Sequence, residues 1–335
     1  MPKLIFETRF RDSAESWRQL RSRRAQPPGA AASGARAATF RAALEQAEDQ
    51  FAAAPRIGPA SRALNLFYGL SQAGRAIAAA SPTLKHDEWR LRGHGLRRTD
   101  LAESAPSLDG VRIRADGGPG TSFARVSQAL HSPSLTSELT LAELWPQVLE
   151  TTFHAPYGET YFSTMLVTVH RPAAMSSPTD DAQLNLPPDL STATPDERPD
   201  FGDFLARYPS LRGHLGTDPS GAELDWHPGG FHPQLRYLSS RSLFEPTEIA
   251  EQLATYRGSA VAIPLVAGMT ESLHPLMAWW MVLYSLSMMT RYEPAAWTRL
   301  IDVNRSPHAT IVEYVLDAAL ESVPDLLEEA LENLT

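Results

Sequence analysis

Cysteine is absent from all 335 residues of the chain. Structural disulfides and cysteine-ligated zinc sites are therefore excluded, and a reducing compartment fits. An excess of positive charge is also lacking: 30 Lys and Arg stand against 39 Asp and Glu, for a net charge of −9. This argues against a broadly basic surface that holds nucleic acid through its phosphates, although a local basic patch remains compatible. The N-terminus shows no signal peptide, because residues 1–9 are too few and too charged, and a cytoplasmic protein is expected. The most apolar run, Leu276 to Met289, is only about 15 residues long, whereas crossing a bilayer takes roughly 20. No membrane partner is expected.

That run organises the rest. Between Leu276 and Met289 only Ser285 and Ser287 are clearly polar. A helix apolar on every side belongs in the middle of a core, so a buried central helix is expected. Pro275 suits its first turn, where a missing N–H costs nothing. Pro294 disfavours helix at Glu293, and Arg291 falls in the last turn, where the helix dipole favours a cation. A second strong helix is predicted over about 61–80, with Leu64, Phe67, Leu70, Gly74 and Ile77 recurring at helical spacing. Gly69, Ser71, Ala73 and Gly74 are small enough to let another helix approach closely, and the 274–290 helix is the expected partner.

Residues 1–26 are rich in arginine and place Trp17 and Leu20 on a face with Ser13 and Arg24. They read as a solvated amphipathic helix, or as a basic arm for RNA or a partner. Residues 27–38 have the composition of a flexible connector. Residues 39–54 read as a helix with Thr39 as N-cap. From 108 to 262 the character changes. Gly110–Ala115 alternates like a half-buried strand, and Ser122–Val126 reads as its return strand. Residues 139–152 read as a helix and 160–170 as the clearest strand. Residues 176–199 read as a surface excursion, and 201–208 as a short helix. Further strands are expected within 224–244 and 259–266. A helix from Ser306-Pro307 to Leu320 is followed by a restart at Pro324. The expected fold is α+β, mainly α. It comprises a basic arm and linker (1–38), a helical core in two parts (39–100 and 269–335), and an inserted smaller β-containing lobe (101–268).

Several segments invite chemistry. Gly69-Leu-Ser-Gln-Ala-Gly74-Arg75-Ala76 has the glycine spacing of a phosphate loop. It lacks the lysine and hydroxyl such a loop needs, and its surroundings are helical, so helix packing is the better reading. Asp225-Trp-His227 and His232 frame a Pro-Gly-Gly turn, which falls short of a metal site; no metal and no cofactor is expected. His94 lies between Gly93 and Gly95, the signature of a tight turn holding an imidazole near the preceding helix. It is either bonded to backbone or available for acid–base work. Arg291, Tyr292 and Glu293 end the buried helix. Arg291 serves either a structural salt bridge or an electrostatic anchor for a phosphate or partner.

Three segments together resemble the YaaC-like protein family: Ala63-Leu-Asn65-Leu-Phe-Tyr68-Gly-Leu with Ala-Gly-Arg75-Ala, then Gly93-His94-Gly95-Leu96, then Leu283–Arg291-Tyr292-Glu293-Pro294 with Trp297. The likeness extends over about 40–335, and Leu141–Pro146 is a weaker middle match. It implies no particular activity. The first two segments resemble, more distantly, the HEPN superfamily of helical bundles. Many of its members are dimeric, metal-independent RNases of toxin, phage-defence or RNA-processing systems. Their motif is an Arg followed four to six residues later by a His in a late helix. Here the histidine next after Arg291 is His308, beyond Pro294, and Arg125…His131 and Arg207…His214 fall in the predicted lobe. That likeness implies a site assembled from His94 and Arg291 as catalytic residues, with Asn65, Tyr68, Arg75, Tyr292 and Glu293 as binding residues. Two functions follow. One is a helical binding or interaction protein with an unnamed protein partner. The other is a HEPN-like RNase, or an RNA- or nucleotide-binding protein, acting as a homodimer in stress or phage defence.

Overall fold

The computed structural model describes residues 12–100, 108, 110–153, 162–170, 179–186, 190, 193–211, 234–238 and 253–334. In chain order these form α1 (Ser13–Ala25), α2 (Gly34–Ala53), α3 (Pro59–Ala80), β1 (Leu96–Arg98), β2 (Arg112–Ala115), α4 (Ser122–Ala129), β3 (Leu139–Thr140), α5 (Leu141–Leu144), β4 (Met165–His170), β5 (Thr179–Leu184), α6 (Phe201–Ala206), β6 (Gln234–Leu238), β7 (Ala254–Tyr256), β8 (Ser259–Ala262), α7 (Pro275–Tyr292), α8 (Pro294–Leu300) and α9 (Ala309–Glu332). The fold is α+β and mainly α. The chain separates into two compact units. One is Arg11–Trp145 with Ala267–Met269 and Leu273–Thr335; the other is Pro146–Val266 with Thr270–Ser272.

In the helical unit, α7 is buried from Pro275 through Thr290. Its two serines satisfy themselves on the helix: Ser285 donates to the Met281 carbonyl and Ser287 to that of Tyr284, each at 2.8 Å. At its start the imidazole Nδ1 of His274 accepts from the Leu276 amide at 3.1 Å. It ends at Glu293, which leaves helical geometry (φ −133°) ahead of Pro294. The expected close approach of α3 occurs at Gly74, where a Cβ would come within 2.5 Å of the Trp280 ring. Gly69 serves a different neighbour, since a Cβ there would meet Phe51 of α2 at 2.6 Å. Phe67 of α3 presents its edge to Trp280 and Tyr284 of α7, with centroids 6.1 and 5.3 Å apart.

The N-terminal arginines are not a free arm in α1. Arg23 makes a bidentate bond to Glu328 of α9 at 2.6 and 2.7 Å. Arg24 pairs with Glu45 at 2.8 Å and Arg21 with Glu48, both on α2. Near the end of α9 the buried Glu328 thus faces a guanidinium. The connector is also ordered. Gly29, in the left-handed region, seats against the Ala80 carbonyl, where a Cβ would lie at 2.5 Å. Arg36 donates to the carbonyls of Ala79 and Ser81 at 3.2 and 3.0 Å, capping the end of α3. Helix α2 therefore begins at Gly34, and Thr39 lies inside it. Helix α9 likewise runs through Pro324 without a restart, because buried Val323, Leu326 and Leu327 hold both sides of the proline in one packed face.

The small sheet has the order β1-β2-β3, antiparallel, with Leu96 opposite Ala115 and Ile113 opposite both Arg98 and Leu139. The expected return strand at Ser122–Val126 is instead α4, which buries Phe123 and Val126 at helical spacing. The helix expected over 139–152 is only α5, started by a Thr140–Glu143 capping box, with two short 3₁₀ turns beyond it around Pro146. In the other unit β4 pairs with β5 and β8, giving the strand order β6-β5-β4-β8-β7. Strand β5 lies in the stretch read as a surface excursion. Met165, Phe204, Tyr208 and Leu211 belong to that unit's core, and the Tyr208 hydroxyl donates to the Ser163 carbonyl at 2.9 Å. His227 and His232 lie outside the described residues.

Candidate functional site

The turn before β1 is built on two left-handed glycines, Gly93 (φ +58°) and Gly95 (φ +83°). At Gly95 a Cβ would also come within 2.5 Å of Thr121 Oγ1 and 2.8 Å of Phe123 Cβ. The loop is pinned further by the Phe123 amide, which donates to the His94 carbonyl at 3.1 Å. His94 is thereby laid against aromatic rings of both core helices: Phe67 at 5.5 Å, Tyr68 at 6.5 Å and Tyr284 at 6.2 Å between centroids. Tyr284 is fixed in turn by donating to the Leu96 carbonyl at 2.7 Å, and burial pushes its phenol up to about 12.

Arg291 leaves the last turn of α7 exposed. Its Nη1 donates to the Tyr68 hydroxyl at 3.3 Å, and its guanidinium lies 5.1 Å over the Tyr292 ring. Arg75, seven residues and about two turns along the same face of α3 from Tyr68, donates to the Leu91 carbonyl at 3.2 Å. Among the described residues neither guanidinium has a carboxylate partner. His94 titrates below its ordinary value, held down first by burial and then by the charges of Arg291 and Arg75. The imidazole is therefore neutral at pH 7 with two cations close enough to oppose its protonation. Neither ring nitrogen has a hydrogen-bond partner among the described residues.

Of the residues singled out in the sequence, His94, Tyr68, Arg75, Arg291 and Tyr292 come together at this corner. Two others are engaged elsewhere. The Asn65 amide donates to Gln50 of α2 at 2.9 Å. Glu293 accepts from Arg98 at 2.6 Å, and Arg98 also makes a bidentate bond to Asp100 at 2.9 and 2.5 Å. Both side chains of the Arg98–Asp100 pair are only 1% exposed. Burial alone would raise the Asp100 carboxyl, but the bonds from Arg98 and from the Arg112 amide outweigh it and the group titrates below its ordinary value. The structural ion pair at the end of α7 thus belongs to Glu293 and not to Arg291. Arg125 is paired with Glu88 at 2.9 Å and Arg207 stacks 5.2 Å from the Phe162 ring; His214 lies outside the described residues.

A hollow of about 600 Å³ begins one residue from His94 and is lined by Gly95, Asp116, Gly117, Thr121, Phe123 and Gln128 among others. Asp116 is its ionisable lining group. Not legible in the sequence were Tyr284, whose ring lies against the imidazole, and Arg98, which holds Glu293 and is itself paired with Asp100. Tyr284 was hidden inside the apolar run, where a phenol reads as core. Arg98 carried no signal, since its partner Glu293 is 195 positions away.

Among the described residues no group of three or more His, Asp or Glu could hold a metal ion, and no helix is long and apolar enough to cross a membrane. Comparison with curated proteins gave no match, and comparison with solved structures gave none. The model of one family, described as YaaC-like Protein, matches residues 9–331. From the helical core through the His94 turn to the last turns of α9, the chain belongs to the YaaC-like protein family.

Proposed function

We propose that the protein binds a phosphate-bearing ligand, a nucleotide or RNA, at the corner formed by His94, Arg75, Arg291, Tyr68 and Tyr292. The observation that carries this reading is a pair of guanidiniums, without carboxylate partners among the described residues, whose charges both act on a neutral imidazole. A planar guanidinium matches phosphate oxygens and remains charged throughout the working range of pH. Tyr292, 55% exposed, offers a ring face to a base. The hollow beginning at Gly95 has a volume within the range of small-molecule sites and would take the remainder of the ligand, with Asp116 available to accept from a hydroxyl.

Isothermal titration with adenosine and uridine mono- and diphosphates tests the reading. Binding should weaken about 10-fold or more in Arg291→Gln and in Arg75→Gln, the scale of one charge-assisted hydrogen bond. It should also tighten as pH falls through the His94 titration, because an imidazolium adds a third cation. Absence of binding, or affinity indifferent to both substitutions, would overturn it.

A ribonuclease reading has one specific observation in its favour. A histidine kept neutral at pH 7 can take a proton from a ribose hydroxyl, and Arg291 stands near enough to stabilise the charge that develops on phosphate. Incubation of RNA with wild type and His94→Ala separates the two readings. Cleavage abolished in His94→Ala with binding retained supports the enzyme; no cleavage by wild type rejects it. Sedimentation of the wild type tests the homodimer that the enzyme reading brings with it.

A further inference from the structure

We propose that the ligand is a 5′-ribonucleotide with a free 2′,3′-diol, read by the Asp116 carboxylate, in preference to a deoxynucleotide or an RNA chain. The inference rests on the phosphate reading of the His94 corner and adds the part of the ligand beyond its phosphate. The hollow adjoins that corner. The Asp116 amide donates at 3.0 Å to the carbonyl of Gly95, the residue next to His94. The Tyr284 phenol is pushed up first by burial and then by Tyr292 of the corner and Asp116 of the hollow, so both stand within electrostatic reach of one ring.

The walls of the hollow follow from the local structure. Thr121, Ala124 and Gln128 recur at helical spacing and give it one face of α4. Gly117, in the left-handed region, lets the preceding loop close on Thr121, where a Cβ would lie 2.8 Å from the threonine methyl. Phe123 and Leu135, both buried, supply apolar area. The polar groups sit apart. Asp116 is exposed, and its carboxylate has no hydrogen-bond or ion-pair partner among the described residues. Gln128 accepts from Arg125 at 2.8 Å through its Oε1, which leaves its amide N–H groups to donate. From Thr121 to Gln128 the helix rises about 10 Å.

The order of these groups matches the order of parts in a nucleotide, where the sugar lies between phosphate and base. Cations stand at the corner, the carboxylate comes next, and the apolar walls with Gln128 lie beyond it. An ionised carboxylate only accepts, and it offers two oxygens, so the two hydroxyls of a vicinal diol can both donate to it. Such charge-assisted bonds are stronger than neutral ones. A 2′-deoxy sugar forfeits one of them. A chain continuing from the 3′ oxygen, as in RNA, forfeits the other and brings a phosphate charge against the carboxylate. The apolar walls suit the faces of a base and are of no use to a sugar phosphate alone. Gln128 can donate to a carbonyl or ring nitrogen at the base edge, which does not distinguish one base from another.

Isothermal titration of the full chain with uridine 5′-monophosphate, its 2′-deoxy analogue, uridine 3′,5′-bisphosphate and ribose 5-phosphate tests the proposal. Wild type should bind the ribonucleotide about 10-fold or more tighter than the deoxynucleotide, the scale of one hydrogen bond to a charged group. The bisphosphate should bind more weakly than the monophosphate despite its added charge, and ribose 5-phosphate more weakly again for want of a base. In Asp116→Asn the ribonucleotide should fall to about the level of the deoxynucleotide, and the bisphosphate should gain. Equal affinity of wild type for ribo- and deoxynucleotide, or a ribose preference that survives in Asp116→Asn, would overturn the proposal. In that event a loss of affinity in Arg291→Gln would leave the phosphate reading of the corner standing. A bisphosphate bound as tightly as the monophosphate would overturn it in favour of an RNA chain, and ribose 5-phosphate bound as tightly would overturn it in favour of a sugar phosphate. Absence of binding by every one of the four would overturn both the proposal and the reading on which it rests.

Discussion

His274 makes the stability of the central helix α7 depend on pH in a calculable way. Its imidazole Nδ1 accepts from the Leu276 amide, so it serves as the N-cap in its neutral form. An imidazolium could not accept that bond, and its charge would sit at the positive end of the helix dipole. Burial pushes the group down from 6.5 to about 4. The unfolded chain takes up a proton near pH 6.5 and the folded protein only near pH 4. The stabilisation is therefore complete above pH 6.5 and is lost progressively as pH falls toward 4. At pH 4.5 the loss relative to pH 7.5 is about 2.5 kcal/mol, a ceiling because the residue keeps some contact with water. His274→Asn keeps an N-cap acceptor and does not titrate. Urea unfolding followed by fluorescence, to which buried Trp279 and Trp280 of α7 contribute, should show wild type the more stable at pH 7.5. That advantage should shrink or reverse at pH 4.5. A difference between the two proteins that stays constant across this range would refute the assignment of the imidazole as a neutral cap.

The buried ion network at the end of α7 predicts a large cost for removing its cation. Arg98→Met should destabilise by about 3–5 kcal/mol in thermal unfolding, and adding Asp100→Asn with Glu293→Gln should recover much of it. Gly74→Ala should cost about 1–3 kcal/mol by driving a methyl into the Trp280 ring, read as a shift in urea midpoint. Gly95→Ala combines a left-handed φ with contact against Thr121 and should lower stability by about 1–3 kcal/mol while broadening the His94 resonances in an NMR spectrum. Arg291→Gln should raise the His94 titration toward its ordinary value, measured by NMR; an unchanged titration would show that the guanidinium does not act on the imidazole.

What the sequence revealed and what it hid have a common physical basis. Local periodicity was sufficient for α7 and α3, because a helix apolar on all sides has nowhere to go but the core, and because small residues at helical spacing can only help a neighbour come close. It was insufficient to say which neighbour. Gly69 and Gly74 look alike on paper, yet one admits Phe51 and the other Trp280. Short segments failed more often. Ser122–Val126 carries two large apolar residues, Phe123 and Val126, that suit either a strand or one turn of helix. The strand reading lost because β2 is paired on both sides, by β1 and β3. At the site, the meeting of His94 with Arg291 followed from packing two legible helices and a legible glycine turn. The division of labour beyond it did not. Arg291 and Glu293 are two residues apart and look equally suited to an ion pair. Glu293 meets a buried guanidinium brought up by β1, while Arg291 leaves the same helix end with only a phenol and a ring for company. Which of these two neighbouring charges is held in a buried ion pair and which is left at the surface was decided by a strand nearly two hundred positions away. A sequence exposes ionisable residues readily, but their availability for chemistry is settled by the partners that the fold denies them.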